Sequence, residues 1–182
     1  MKKWETLNSK IDYENPYFKV WADKVQVNSH LVDYYVLERN NFSVAISVIG
    51  DSFVMVKQYR YAIKRESLEF PMGGCEGDEP YLDCAKRELL EEAGCIAEKL
   101  TDLGEVAPTP GHSCQMFRTF LAEDIEEVGH QNRDQLEEDM EIHKVKIVDF
   151  PKLVKSGDIV DGPTIAAYAQ YQIHISNIKN KI

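Results

Sequence analysis

The sequence has little of three features that mark particular classes of protein: paired cysteines, long apolar runs and excess positive charge. Its four cysteines form no CxxC pair and no spacing typical of a zinc site, so we predict reduced thiols and no disulfide framework. No apolar run approaches the roughly twenty residues that a membrane span needs. Nothing at the N-terminus resembles a signal peptide. We therefore expect a soluble, cytoplasmic protein with no membrane partner.

The charge balance is acidic, with 21 Lys and Arg against 31 Asp and Glu for a net charge of −10. A protein that holds duplex nucleic acid by its phosphates carries a basic surface, so nucleic acid is not an expected partner. An anionic substrate would need local screening on such a protein. Divalent cations collected by clustered carboxylates can supply it. The alternative is an acidic surface that only keeps the protein soluble.

The chain length allows one main domain with a small appendage. At 182 residues and 43% apolar composition, one sizeable core is the default. Residues 1–41 carry aromatic and β-branched clusters separated by turn-forming residues, which predicts a short antiparallel β segment too small to fold alone. Residues 42–182 form the predicted main domain. We find no internal repeat and no low-complexity linker.

Several segments of the main domain have clear signatures of secondary structure. Residues 42–49 and 52–58 are predicted strands joined by a tight hairpin at Gly50-Asp51. Further strands are expected at 103–107, 116–121 and 142–148, and a final helix from Gly162 to about Ile175. The acidic stretch 123–141 has no clear periodicity and is predicted to be a loop.

A further helix is predicted between Pro80 and Gly94, since proline near the first turn and glycine just past the end are typical helix boundaries. The apolar residues recur at helical spacing and are expected to leave the acidic residues on another face. These apolar positions are Leu82, Ala85, Leu89 and Ala93.

Three glutamates on this predicted helix form the most informative pattern. Glu88, Glu91 and Glu92 stand at i, i+3 and i+4, so their carboxylates project from neighbouring turns and repel one another. A hard divalent cation such as Mg²⁺ or Mn²⁺ would relieve that repulsion. Arg87 is expected on a different face, where it could pair with Glu79 and orient the site. A bare pattern of this kind is also typical of a solvated acidic helix face.

The surrounding residues favour the metal site. The stretch Gly73-x5-Glu79-x7-Arg87-Glu88-Leu89-x-Glu91-Glu92-x-Gly94-Cys95 resembles the Nudix box at every fixed position. Cys95 fills the closing slot where an aliphatic residue is commoner. The resemblance implies an α/β fold, an α/β/α sandwich with a mixed sheet, in which the box is a loop, a helix and a loop.

The resemblance also implies roles for the box residues. Glu88, Glu91 and Glu92 would bind a divalent metal, Mg²⁺ with Mn²⁺ possible, and Glu91 is also a candidate catalytic residue. In the ADP-ribose pyrophosphatase branch, the carbonyl before the first box glycine meets the metal as well, and here it belongs to Met72. The structural positions of the motif are Gly73, Glu79, Arg87 and Gly94.

Resemblance to the ADP-ribose and ADP-sugar pyrophosphatases extends from about residue 11 to residue 154. It includes Glu14-Asn15-Pro16, Gln58-Tyr59-Arg60, Leu68-Glu69-Phe70-Pro71 and Pro110-Gly111. By this comparison Arg60, Glu69, Pro110 and Gly111 would contact the substrate. The alternatives are a surface ion pair for Arg60 and a brace of the turn for Glu69. This branch exchanges its N-terminal strands between two protomers, which would help to wall the pocket, so a homodimer is expected.

The catalytic base of this family lies in the acidic loop before the last long strand. The aligned position here is Met140, flanked by Glu137, Glu138 and Glu141. Glu138 is the first candidate and Glu141 the second. His112 and His143 are alternatives because histidine titrates near neutral pH.

Together these features predict Mg²⁺-dependent hydrolysis of the pyrophosphate bond of a nucleoside diphosphate compound. ADP-ribose or an ADP-sugar, cleaved to AMP and a sugar phosphate, is the leading substrate. GDP-mannose or another nucleoside diphosphate sugar is the alternative. A non-catalytic Nudix ligand sensor is a second alternative, against which the intact Glu88, Glu91 and Glu92 argue.

Overall fold

The computed structural model describes residues 3–129 and 139–180. The chain divides into two compact units. The first contains the residues up to Asn41 together with Ala107–Met116, and the second contains Phe42–Val106 and the residues from Phe117 onward.

The first unit is built on a three-stranded antiparallel sheet, in the order β1 (Glu5–Asn15), β2 (Phe18–Val27) and β3 (His30–Glu38). The Asn15 side chain closes the first turn by accepting hydrogen bonds from the N–H groups of Tyr17 (2.8 Å) and Phe18 (3.0 Å). Residues 107–116 return to β3, where the Leu37 N–H donates to the His112 carbonyl at 2.8 Å. The antiparallel segment was predicted, but the return of residues 107–116 to it was not.

The second unit contains a mixed sheet. Its strands are β4 (Phe42–Ile49), β5 (Ser52–Arg60), β6 (Arg65–Glu69), β7 (Met72–Gly74), β8 (Cys95–Val106), β9 (Phe117–Glu127) and β10 (Glu141–Lys146). The main order is β10-β5-β4-β9-β8, with β6 paired to β5 and β7 paired to β4. The β4–β9 pair is parallel, and the other pairs are antiparallel. The predicted hairpin joins β4 and β5.

Three α-helices pack on this sheet: α1 (Tyr81–Ala93), α2 (Phe150–Ser156) and α3 (Gly162–Lys179). Helix α1 begins after Pro80 and ends at Gly94, whose φ of 62° is the left-handed conformation that glycine adopts without strain. Helix α3 begins at an N-cap, where the Asp161 carboxylate accepts from the Thr164 N–H at 2.7 Å. Within the described ranges, no helix has the length and apolar character needed to cross a membrane.

The two faces of the sheet carry separate apolar clusters. Val44 and Ile46 of β4 pack with Phe150 and Ala167, which belong to α2 and α3. Ala45 points to the other face and packs with Leu89 of α1. Because successive strand residues point to opposite faces, α1 lies on one side of the sheet and α2 with α3 on the other. This arrangement confirms the predicted α/β/α sandwich with a mixed sheet.

Two details of the sequence-based prediction were wrong. Leu82 is exposed, and the buried face of α1 contains Glu88 and Glu92 beside Leu89, so the acidic residues are not confined to another face. Residues 123–127 continue strand β9 and pair with β8, although the whole acidic stretch was predicted to be a loop. The short helix α2 was not predicted.

Candidate functional site

Helix α1 buries two of the three glutamates of the acidic pattern. Glu88 is 6% exposed and Glu92 is 3% exposed, whereas Glu91 is partly exposed. Carboxylates are almost never buried without a partner, because removing an ionised group from water is costly. The groups that face Glu88 and Glu92 therefore define the site.

Strand β7 lies against both buried carboxylates. The Met72 N–H donates to Oε2 of Glu92 at 2.9 Å. Gly73 lies against the Glu88 carboxylate so closely that an added Cβ would come within 3.0 Å of it. Residues 72–74 thus form a short strand paired with β4, where the sequence predicted a turn-rich loop. The structure places Met72 and Gly73 beside the box glutamates.

Arg87 joins the remaining carboxylates of the box. Its Nε and Nη2 donate to the two oxygens of Glu79 at 3.1 and 2.9 Å. Its Nη1 donates to Oε1 of Glu88 at 2.6 Å and to Oε2 of Glu91 at 3.0 Å. The predicted pair with Glu79 is present. The prediction that Arg87 lies on a face separate from the glutamates was wrong, because one guanidinium contacts three carboxylates.

These contacts change the pKa values of both Arg87 and Glu79. The hydrogen bond to Glu79 raises the pKa of Arg87, against the effect of burial, and the charge of Glu88 raises it further. The hydrogen bond from Arg87 lowers the pKa of Glu79 below its usual 4.5. Glu79 also accepts from the Glu76 N–H at 3.0 Å, which closes the turn before α1. Arg87 is therefore charged and anchored at neutral pH.

The carboxylates of the box are engaged with protein donors in this structure. Glu88 and Glu91 face Arg87, and Glu92 faces the Met72 N–H. Across residues 3–129 and 139–180, no three His, Cys, Asp or Glu side chains form a ready-made metal site. A cation at these glutamates would have to draw their oxygens from the present donors.

Arg60 and Glu69 form a second charged pair on the neighbouring strands. Glu69 is 1% exposed and accepts from Arg60 Nε at 3.0 and 3.1 Å and also from Arg60 Nη2. Burial lowers the pKa of Arg60, but the bonds to Glu69 and the charge of Glu92 raise it, with a net increase. The Arg60 side chain remains 41% exposed. Arg60 is thus paired with a buried carboxylate, which differs from the surface ion pair that the sequence left open as an alternative.

The candidate bases lie elsewhere or outside the described residues. Glu137 and Glu138 belong to the part of the chain that the structure does not describe, and Met140 is buried. Glu141 begins β10, opposite Lys57, and its Oε2 accepts a hydrogen bond from His143 Nε2 at 3.0 Å. Its side chain points to the face of α2 and α3, since the paired Val145 and Phe53 belong to that cluster.

Pro110 and Gly111, the other predicted substrate contacts, belong to the first unit. The Gly111 carbonyl accepts a hydrogen bond from the Tyr34 hydroxyl. His112 belongs to the same unit.

Two of the contacts that the sequence did not predict involve Arg87 and differ in the signal that could have found them. The Arg87–Glu91 pair has i, i+4 spacing, and this spacing is a usable signal for an ion pair on a helix. The bond from Arg87 Nη2 to the Gly74 carbonyl at 2.9 Å has no signal in the sequence, because it depends on where β7 pairs.

With this geometry established, the comparisons with known proteins identify the family. The NUDIX domain model matches residues 37–168. The chain belongs to the Nudix hydrolase family.

Within that family, the chain is similar to proteins named ADP-ribose pyrophosphatase. The one from Bacillus subtilis is 34% identical over 134 residues, which cover 72% of each chain. The one from Mycobacterium tuberculosis is 32% identical over 168 residues, which cover 90% of this chain and 80% of the relative.

A solved structure shows the same fold. It is described as a crystal structure of an ADP compounds hydrolase and superimposes with a TM-score of 0.85 at 17% identity. The match covers 97% of this chain and 96% of the other.

Proposed function

We propose that this chain is a cytoplasmic, Mg²⁺-dependent pyrophosphatase that hydrolyses ADP-ribose or an ADP-sugar to AMP and a sugar phosphate. The observation that carries the proposal is the pair of buried carboxylates, Glu88 and Glu92, held against the backbone of Met72 and Gly73. Burying two acidic side chains on one helix face costs stability, so their presence needs a functional reason. The names of the similar proteins support the substrate class.

The donor groups at this site suit a hard divalent cation. Glu88, Glu91, Glu92 and the Met72 carbonyl offer only oxygen, which is the ligand type that Mg²⁺ and Mn²⁺ prefer. Gly73 has no side chain to block the approach to Glu88, since a Cβ there would overlap the carboxylate. When bound, such an ion would neutralise phosphate oxygens and make a water molecule more acidic.

The remaining box residues hold these ligands in place. Arg87 donates hydrogen bonds to both Glu88 and Glu91, and Glu79 fixes Arg87 by a two-oxygen contact. Gly94 ends the helix just after Glu92. In this proposal these residues position the glutamates and do not touch the substrate.

Arg60, Glu69, Pro110 and Gly111 are proposed to contact the substrate. Arg60 supports this best, because it stays charged and partly exposed although Glu69 binds its Nε and Nη2. A guanidinium of this kind can donate hydrogen bonds to phosphate oxygens with its remaining N–H groups. Glu69 would then act mainly by orienting Arg60.

A substrate panel with Mg²⁺ tests the activity. Release of AMP from ADP-ribose is the expected result, and preference for GDP-mannose would instead support the alternative substrate. Absence of turnover with every nucleoside diphosphate compound would favour a ligand sensor and refute the proposal.

The variant Glu92→Gln tests the role of the buried carboxylates. It keeps the size of the side chain, so the far-UV circular dichroism should be unchanged while turnover is lost. Glu98→Gln, at an exposed position of β8, is the matched control and should keep normal activity. A near-normal rate in Glu92→Gln would remove the basis of the metal assignment.

The catalytic base is proposed to be Glu138, with Glu141 second, and Glu91 is proposed as a further catalytic residue. Glu138→Gln should lower kcat by about 10²-fold or more if it transfers the proton. If Glu141→Gln alone shows that loss, this ranking is wrong. The orientation of Glu141 towards α2 and α3 supports placing it second.

We also propose that the first unit mediates a homodimer. This unit exposes several large apolar side chains, among them Trp4, Leu7, Ile11, Tyr13, Leu31 and Tyr35. Apolar exposure on this scale is typical of a protein interface. Light scattering should give about twice the chain mass of 20.9 kDa, and the double variant Leu7→Asp/Ile11→Asp should give the mass of one chain. A monomeric wild-type protein would contradict the proposal.

A further inference from the structure

A cavity of about 500 Å³ lies in the second unit, and none of the box residues lines it. Leu68 and Leu153 line its apolar part, since Leu68 belongs to the core cluster on that side of the sheet and Leu153 of α2 packs against this cluster. Lys57 of β5 lies directly opposite Leu68 of β6 in the sheet register, so both side chains point to that face. The cavity therefore opens on the face of the sheet opposite α1 and its glutamates. Its volume is typical of small-molecule sites.

Three nitrogen-bearing side chains converge on this cavity from three different strands. They are Lys57, Arg65 and His143. The hydrogen bond to Glu66 raises the pKa of Lys57, so the ammonium group is charged at neutral pH. Arg65 donates to the main-chain carbonyl of Gly157, which is a neutral acceptor and leaves the guanidinium charge uncompensated by that bond. The cavity thus presents two cationic side chains, of which Lys57 is paired with Glu66.

Two carboxylates line the same cavity. Glu66 pairs with Lys57 at 2.5 Å, and Asp158 lies just after the end of α2, where it accepts from the Ser156 hydroxyl. Each carboxylate still has acceptor capacity, since an ionised carboxylate takes about four hydrogen bonds. A bare inorganic anion would be repelled by Glu66 and Asp158. A purely apolar ligand would remove water from four charged groups without compensation.

A ligand that carries both a phosphate and hydroxyl groups satisfies all of these side chains. We propose that this cavity binds a small phosphorylated polyol, such as a sugar phosphate, with Lys57 and Arg65 on the phosphate and Glu66 and Asp158 accepting from hydroxyls. Leu68 and Leu153 then cover the carbon skeleton. None of these residues belongs to the Nudix box, so the site is independent of the proposed hydrolysis.

Calorimetry on the full chain in the presence of a chelator tests this site. Ribose 5-phosphate is the probe, with inorganic phosphate and free ribose for comparison. Ribose 5-phosphate should bind more tightly than either, and Arg65→Gln should weaken its binding by about tenfold or more, as expected for a lost charge-assisted hydrogen bond. Lys144→Gln is the matched control on β10, because Lys144 follows His143, points to the other face and pairs with Glu127.

The results that overturn the proposal are distinct from those that test the box. If Glu92→Gln removes binding and Arg65→Gln does not, ribose 5-phosphate binds only at the box. If inorganic phosphate binds with the same affinity as ribose 5-phosphate, Glu66 and Asp158 do not accept hydrogen bonds from the sugar hydroxyls. Asp158→Asn provides a second variant. It should weaken the binding of ribose 5-phosphate and leave the binding of inorganic phosphate unchanged or tighter. Absence of binding at millimolar ribose 5-phosphate refutes the site.

Discussion

Replacing Gly73 by alanine should lower the activity strongly and the folding stability only slightly. The added methyl group would come within 3.0 Å of the Glu88 carboxylate, a distance that packed carbon atoms do not adopt. Gly73 itself belongs to strand β7 and its backbone is compatible with alanine, so the carboxylate at the end of the flexible Glu88 side chain has to move. Restoring ordinary contact requires a shift on the order of 1 Å.

The size of each effect follows from this shift. Moving Glu88 weakens its 2.6 Å bond from Arg87, and a hydrogen bond between charged groups contributes about 1.5–3 kcal/mol. Because Glu88 can find new partners as it moves, we expect a loss of about 1 kcal/mol, which lowers Tm by roughly 2–4 °C in a chain of this length. A displacement of about 1 Å in a catalytic group costs about 10²-fold in rate. Activity should therefore fall far more than stability.

Gly74→Ala is the matched control for this experiment. A Cβ at Gly74 meets no atom within 4 Å, so its activity and its Tm should both match the wild type. AMP release from ADP-ribose at saturating Mg²⁺ and thermal unfolding by circular dichroism measure the two effects. If Gly73→Ala retains full activity, the close approach of Gly73 to Glu88 does not position the site. If it fails to fold, the flexibility assumed for Glu88 is refuted.

Three further changes test the contacts around the helices. Arg87→Lys keeps the charge but loses the fork that holds Glu79, so kcat should fall at least about tenfold while Tm falls by only a few degrees; equal activity would contradict the positioning role. The pKa of Glu79 is lowered in the folded state, so the contribution of ionised Glu79 to folding stability is complete above pH 4.5 and is lost as the pH falls below that value. The Tm difference between wild type and Glu79→Gln should therefore shrink as the pH falls over that range. A constant difference would argue against the Arg87–Glu79 pair. Asp161→Ala removes the N-cap bond to Thr164 and should cost about 1 kcal/mol in urea unfolding without changing kcat, whereas unchanged stability would show that the cap contributes nothing.

Local signals in the sequence predicted the framework of the main domain well. Pro80 and Gly94 mark the two ends of α1, because proline suits the first turn and glycine the left-handed end. The hairpin between β4 and β5 follows from Gly50, which adopts a φ of 62°. These features depend on a few neighbouring residues, so the sequence alone can specify them.

The partners of buried polar groups could not be predicted in the same way. Periodicity places acidic residues outside, yet Glu88 and Glu92 are buried because β7 lies over them and Met72 donates a hydrogen bond from twenty positions upstream. Residues 123–127 pair with β8, but they are acidic apart from Ile125, so they lack the regular alternation that predicts a half-buried strand. The return of residues 107–116 to β3 is also a long-range contact.

The box motif predicted which glutamates share the helix better than it predicted the contacts that they make. The motif places three glutamates on one helix, but it does not reveal that Arg87 donates hydrogen bonds to two of them, Glu88 and Glu91. The missing information is the direction of the Arg87 side chain, which Glu79 and the Gly74 carbonyl determine.

Arg87 is an internal counter-ion for the acidic residues of α1, so folding of the chain does not depend on a bound metal ion. Zinc fingers stay unfolded until metal arrives, because their ligands have no other means of compensation. Here the guanidinium and the Met72 amide already satisfy the glutamates, so the chain can reach its native state during synthesis without waiting for an ion. Starvation for divalent metal should then silence the enzyme while leaving its abundance unchanged, and resupply should restore activity within the time of ion binding.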